Sequence, residues 1–102
     1  MTPRYILAPQ AAQDLFAIWQ YIKRQGGQAV ADRVESVIRD RIAFLSENPG
    51  AGHWRGDITN HKVKFFSVYS YLVVYRPETK PLQIVSILHG RRDVERLLLV
   101  RI

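Results

Sequence analysis

YLVVYRPETKPLQIVSILHGRRD, residues 71–93, contains two strands and the turn between them. Residues 71–76 and 82–88 are dense in β-branched and aromatic types, and "PETKP" between them has the composition of a hairpin turn. Upstream, residues 62–68 alternate in part, with Val63, Phe65 and Ser67 on one parity and Phe66 and Val68 on the other. Tyr69-Ser70 would close this second hairpin, although it lacks the Gly or Asn that such turns favour. Three strands then form an antiparallel meander with an apolar face to cover. Lys62 and Lys64 share parity, which places both on one face of the same strand.

The cover lies nearer the N-terminus. Tyr5, Ile6 and Leu7 form a short strand, and Pro9 suits the first turn of a helix, where its missing N–H costs nothing. Leu15, Ile18, Trp19 and Ile22 follow the i, i+3, i+4, i+7 spacing of one helical face. Trp19, on that stripe, reads as core. Gly26-Gly27 ends the helix and permits a tight reversal. A second helix spans about Gln28 to Glu47, with the stripe Val30, Val34, Val37, Ile38, Ile42 and Leu45. Glu35 and Arg39 are spaced as a surface pair. Asn48-Pro49 stops this helix. The stretch "NPGAGHWRGD" reads as a flexible connecting loop. The tail "VERLLLVRI" fits either a last strand or a short helix. The expected fold is α+β: an N-terminal strand and an α-helical hairpin packed on a mainly antiparallel β-sheet, in one domain spanning 1–102.

The chain has 102 residues, no cysteine and a formal charge of +6, with eleven arginines and four lysines. Disulfide and thiol chemistry are thereby excluded. The basic balance favours an acidic partner, and arginine's planar fork suits phosphates and carboxylates. No apolar run reaches membrane-spanning length, and the opening "MTPRYILAPQ" does not read as a signal peptide. These features fit a cytoplasmic protein without a membrane partner.

His53, His61 and His89 are the only borderline metal ligands besides carboxylates, and they show no HxH or HExxH spacing, so no metal or other cofactor is expected. No serine lies in a G-x-S-x-G setting. "GAGHWRG" follows a helix and lacks G-K-[ST], so it is not a phosphate loop. The basic set Lys62, Lys64, Arg76, Arg91 and His89 offers the cations and acid–base groups that metal-free RNA cleavage needs. A solvated outer sheet face explains the same residues. Trp54, between His53 and Arg55, reads either as an exposed contact residue or as a lid on the core edge.

Nearly the whole chain resembles the ParE toxins of the ParE/RelE superfamily, the toxin halves of type II toxin–antitoxin pairs. The resemblance rests on "YILAPQAAQDLFAIWQYI", "ENPGAGHWRGD", "YLVVYR" and "ILHGRRD" in that order. It implies a toxin that is neutralised by a ParD-like antitoxin in a hetero-oligomer and that inhibits DNA gyrase by binding, without an enzymatic site of its own. Arg91, Arg92 and Arg96, with Trp54 and Arg55, are the expected target-facing residues; Phe16 and Tyr21 are the expected antitoxin contacts. The RelE branch instead cleaves mRNA on the ribosome with basic residues and a C-terminal tyrosine or histidine. In this chain no tyrosine follows Tyr75 and no histidine follows His89, which favours the ParE type of action. The alternatives are a RelE-type endonuclease using Lys62, Lys64, Arg76, His89 and Arg91, and a non-toxic antitoxin-binding module. Ala8 stands where ParE-like chains often have a capping serine, a loss of roughly 1 kcal/mol of helix stability. In "ILHGRRD", Ile87 and Leu88 enter the core, Gly90 permits the exit, and Arg91 or Arg92 is expected to brace the tail against Asp93 or another carboxylate.

Overall fold

In the computed structural model, which describes residues 3–90 and 92–102, β1 (Tyr5–Leu7) leads into a hairpin of α1 (Pro9–Gly26) and α2 (Gln28–Glu47). A single 3-10 turn, Pro49–Ala51, and a long loop follow. Then come β2 (Lys64–Val68), β3 (Tyr71–Arg76), β4 (Leu82–His89) and α3 (Val94–Arg101). The sheet order is β1-β4-β3-β2. The last three strands form the expected antiparallel meander, and β1 lies parallel to β4. The α+β reading therefore holds.

α1 begins at Pro9 without a side-chain cap on Ala8. The Ala8 N–H donates instead to the Ile84 carbonyl at 2.9 Å, which fixes the helix start to β4. Gly27 alone joins the helices. Its φ of 92° lies where a Cβ would clash with its own backbone, so glycine is needed there. The α2 stripe differs from expectation at its start. Val30 is 39% exposed, whereas Ala31, Ile38, Ile42 and Leu45 are fully buried. Their spacing of 7, 4 and 3 keeps one helical face inward, and Val30 lies about 100° off it. Trp19 also departs from the expected core. It is half-buried and bridges the helices, its indole N–H donating to Asp32 Oδ1 at 2.8 Å. An indole N–H buried in the core would need such a partner there.

The sheet is apolar on both faces, where one was expected. The hairpin side buries Leu15, Ile38, Ile42, Leu45, Val68, Val73, Tyr75, Leu82, Ile84 and Ile87. The opposite side buries Val63, Phe65, Val74, Val85, Leu88, Val94 and Leu98. Two-sided burial explains why "LQIVSIL" reads as an unbroken apolar run, as central strands do. A register shift helps. Val74 pairs with Ser86 but Tyr75 pairs with Ile84, which leaves Val85 as an inserted residue.

The second cover is the tail, which is helical. Asp93 caps α3 by accepting the Arg96 N–H at 3.2 Å. Asp93 therefore does not serve as the expected brace for Arg92, which is exposed and makes no ion pair with a described residue. Arg91 lies outside the described residues. The bracing arginine is Arg101. Its Nη1 sits 2.7 Å from Asp14 Oδ2 and 3.3 Å from Ser86 Oγ. The same carboxylate oxygen accepts the Ile87 N–H at 3.0 Å. Beyond Ile84, β4 has no β1 neighbour, so Asp14 supplies the acceptor that a further strand would have offered.

The glycine-rich segment is pinned rather than flexible. The Tyr75 hydroxyl accepts the Gly52 N–H at 2.9 Å and donates to the Pro49 carbonyl at 2.7 Å. His53 exchanges two backbone hydrogen bonds with Phe65, each 2.9 Å. β2 also starts later than expected, at Lys64. The Val63 N–H donates to the His61 carbonyl at 2.8 Å, a three-residue turn that bends the chain. Lys62 consequently lies before the strand and does not share a strand face with Lys64. At the next hairpin Tyr69 takes a φ of 56°, an unusual conformation for a bulky residue. This is what the missing Gly or Asn costs. The Lys80–Pro81 peptide in the β3–β4 turn is cis.

Candidate functional site

The candidate residues fall on three surfaces. The first is a cup of about 400 Å³ on the 53–63 loop, lined by Trp54, Arg55, Thr59, Asn60, His61, Lys62 and Glu78. Trp54 is 56% exposed. The Lys64 ammonium sits 4.9 Å from the centre of its ring, within cation–π range, and also donates to the Gly50 carbonyl at 3.3 Å. Arg55 grips Asp57 with two bonds, Nε to Oδ1 at 3.0 Å and Nη2 to Oδ2 at 2.8 Å. This pairing raises the Arg55 pKa through the hydrogen bonds first and charge second, and it lowers that of Asp57 chiefly through the Arg55 hydrogen bond.

The second surface is a cavity of about 530 Å³ between α1 and the far end of β3–β4, lined by Asp14, Tyr21, Ser70, Tyr71, His89 and Arg92 among others. The His89 ring meets Tyr71 edge-on at 5.5 Å. Burial, then the nearby Tyr21, raises the Tyr71 pKa. Burial also raises that of Tyr75, against a smaller lowering by the Gly52 N–H. Both phenols therefore stay protonated at neutral pH and can donate hydrogen bonds but cannot serve as bases there.

The third surface is a groove on the helical hairpin, lined by Leu7, Ala12, Leu15, Phe16, Trp19, Glu35 and Arg39. Phe16 is 59% exposed and stacks on Trp19 with ring centres 6.3 Å apart. Tyr21 is 58% exposed but lines the second surface. Five residues along a helix turn the side chain by about 140°, so Phe16 and Tyr21 occupy different flanks of α1.

The basic set is divided. Lys64 pairs with Tyr75, and Arg76 is the next residue along β3. His89 pairs with Tyr71 at the other end of the strand. The four residues from Tyr71 to Tyr75 span about 13 Å. Lys62 stands on the cup and Arg91 lies outside the described residues. Of the expected target-facing residues, Trp54 and Arg55 line the cup, Arg92 lines the second cavity, and Arg96 is exposed on α3. Among the described residues, no group of three or more His, Asp or Glu side chains could hold a metal ion. No described helix is long and apolar enough to cross a membrane.

Sequence reasoning missed Tyr71, Asp14 and the bracing role of Arg101, and it did not foresee that Tyr75 pins the loop. A tyrosine in a strand does not say that its hydroxyl has a backbone partner. Asp14 left a faint one: a lone acid three residues after Ala11 and next to Leu15, both buried.

The ParE toxin of type II toxin–antitoxin system (parDE) family matches residues 5–94. The chain belongs to this family. The match runs from β1 to the start of α3 and so takes in all four strands and the helical hairpin. Among solved structures the fold is similar to a chain of the chromosomal ParDE toxin–antitoxin system from P. aeruginosa. That chain has 21% identity and a TM-score of 0.72; the likeness covers 83% of this chain and 92% of that one. No curated protein matches the chain significantly. At 21% identity the structural likeness extends the family assignment to the fold and no further.

Proposed function

We propose that this family member is a toxin that acts by binding DNA gyrase and that a ParD-like antitoxin silences it. The observation that carries the gyrase half is the division of the basic set. An RNA-cleaving site needs its base, acid and cations within hydrogen-bond reach of one phosphate. Lys64 stands about 13 Å along β3 from His89, with Arg76 one residue further, and Tyr71 and Tyr75 are held as donors. The exposed arginines Arg92 and Arg96 suit an acidic partner surface. Support for the antitoxin half comes from the family and from the structural relative, a chain of a ParDE toxin–antitoxin system.

The test incubates antitoxin-free toxin with gyrase, ATP and relaxed plasmid, alongside ribosomes and mRNA. Loss of supercoiling or trapped double-strand breaks, with intact mRNA, is the expected result. Cut mRNA with unimpaired gyrase would replace this reading with the endonuclease one. Inactivity in both assays of a folded, antitoxin-binding protein would leave the non-toxic binding module.

The hairpin groove fits the apolar face of an antitoxin helix. Phe16 and Trp19 offer a stacked aromatic pair, and Glu35–Arg39 offer a polar rim. Phe16→Glu should weaken antitoxin binding by at least about tenfold, the scale of an aromatic anchor lost from an interface. Titration calorimetry on the purified variant measures this, with circular dichroism as the folding control. Tyr21→Ala, on the other flank, separates the two faces of α1: if it matters and Phe16→Glu does not, the antitoxin sits on the His89 side.

A further inference from the structure

We propose that the 53–64 loop binds single-stranded nucleic acid, a base stacking on Trp54 and phosphates meeting Lys62 and Lys64. Proteins that hold single strands combine exposed aromatic faces with nearby cations along the backbone path. This loop brings both together. Trp54 is 56% exposed although the chain has two apolar cores that could have taken it. Its position is fixed by its neighbours. Gly52 is held by Tyr75, and His53 is bridged to Phe65 on both sides of its peptide. The indole is therefore presented on a rigid base, so little conformational entropy is lost on stacking.

The charges around it are of two kinds. Arg55 is committed to Asp57, which removes both as free ligands. Among the described residues, Lys62 is exposed and makes no ion pair, and Lys64 meets the Gly50 carbonyl and the Trp54 ring and no carboxylate. Among the described lining residues, Glu78 is the anion without such a committed partner. Thr59, Asn60 and His61 line the wall. Their amide, hydroxyl and imidazole groups are the types that read base edges.

Two other occupants fit less well. An acidic peptide would pair with the lysines but would leave the indole and the polar wall unused. A duplex would present phosphates to the lysines while its bases stayed stacked out of reach of Trp54. A single strand uses the ring, the wall and both cations at once. The inference stands apart from the gyrase reading, because it concerns the toxin and an oligonucleotide alone.

The test is fluorescence anisotropy of the full chain with labelled oligothymidylate, oligouridylate and a duplex of equal length, each across a salt series. Single strands should bind more tightly than the duplex. Trp54→Ala should lower their affinity by about 5- to 150-fold, the range for one lost stacking contact. Trp54→Phe, which keeps an aromatic face, should recover most of that loss. Lys62→Gln should reduce the salt slope by about 0.7. Because Trp54 is exposed, these variants should fold, and circular dichroism checks that they do. The ratio of oligothymidylate to oligouridylate affinity tells DNA from RNA as the source. Equal binding of duplex and single strand, or indifference to Trp54→Ala, would overturn the proposal. So would an acidic peptide that binds as tightly and with the same dependence on Trp54.

Discussion

Gly52→Ala should destabilise the protein by about 3 kcal/mol or more, a large share of the ~5–15 kcal/mol that holds a domain of this size together. The backbone angles at Gly52 are ordinary, so the cause is space. An added Cβ would collide with the Tyr75 hydroxyl and lie 2.9 Å from the Phe65 carbonyl oxygen and from the Tyr75 ring. Real Cβ atoms do not approach other atoms so closely, and none of these three groups can yield cheaply. Phe65 O belongs to the paired backbone of β2, and Tyr75 is fully buried. Moving the loop would also break the Gly52 N–H to Tyr75 Oη bond.

Tyr75→Phe gives the complementary result. It removes the hydroxyl and strands the Gly52 N–H and the Pro49 carbonyl, at a cost of about 1–3 kcal/mol. It also opens the space into which the Gly52 Cβ would point. In Gly52→Ala/Tyr75→Phe the two losses should therefore sum to less than their separate values, since the clash with the hydroxyl disappears while those with Phe65 O and the ring edge persist. Urea denaturation of the four proteins measures the cycle. A Gly52→Ala variant with the wild-type midpoint would show that this loop is not packed as described. Strict additivity would show that Gly52 and Tyr75 act separately.

This pair also shows where reading the sequence stops. The elements were legible because their signals are local: Pro9 and Gly27 bracket α1, Asn48-Pro49 ends α2, and "PETKP" divides two apolar runs. The α2 stripe erred by one residue at Val30 because valine outranks alanine in apolar scale, while the close helix packing selected small Ala31. The second core was missed for a different reason. "VERLLLVRI" has no clear period, and only the Asp93 cap and the second apolar face of β3 and β4 make it a helix. The surfaces were least legible. Residue type identified Trp54, Phe16 and Lys64 as candidates, but the division of Lys64 from His89 follows from strand register. Register is set by pairings between residues far apart in the chain. The glycine loop failed similarly, since what pins it is a hydroxyl more than twenty residues away.

Asp14→Ala should cost about 3 kcal/mol, and Arg101→Ala somewhat less. Their side chains are only 10% and 15% exposed, so the pair is worth far more than a surface salt bridge, and removing one partner leaves the other desolvated. The two losses differ in kind. Without Asp14, the Ile87 N–H loses its acceptor and Arg101 keeps only the Ser86 hydroxyl. Without Arg101, Asp14 still accepts from Ile87, and the carboxylate regains some water as the chain end swings away. Asp14→Ala should thus be the worse variant, and the double variant should be little worse than Asp14→Ala alone. Arg101→Ala should have a local effect as well. α3 buries only Val94 and Leu98 fully against the sheet, and Arg101 fastens its far end to α1. Its loss should make α3 open more often, seen as faster hydrogen exchange over Leu97–Ile102 with unchanged protection in β3. Equal denaturant midpoints for wild type and both single variants would mean that the pair contributes nothing and that the two leucine- and valine-sized contacts suffice. Faster exchange in α3 with little global loss would instead assign Arg101 to the tail alone, and Asp14 to closing the open edge of β4.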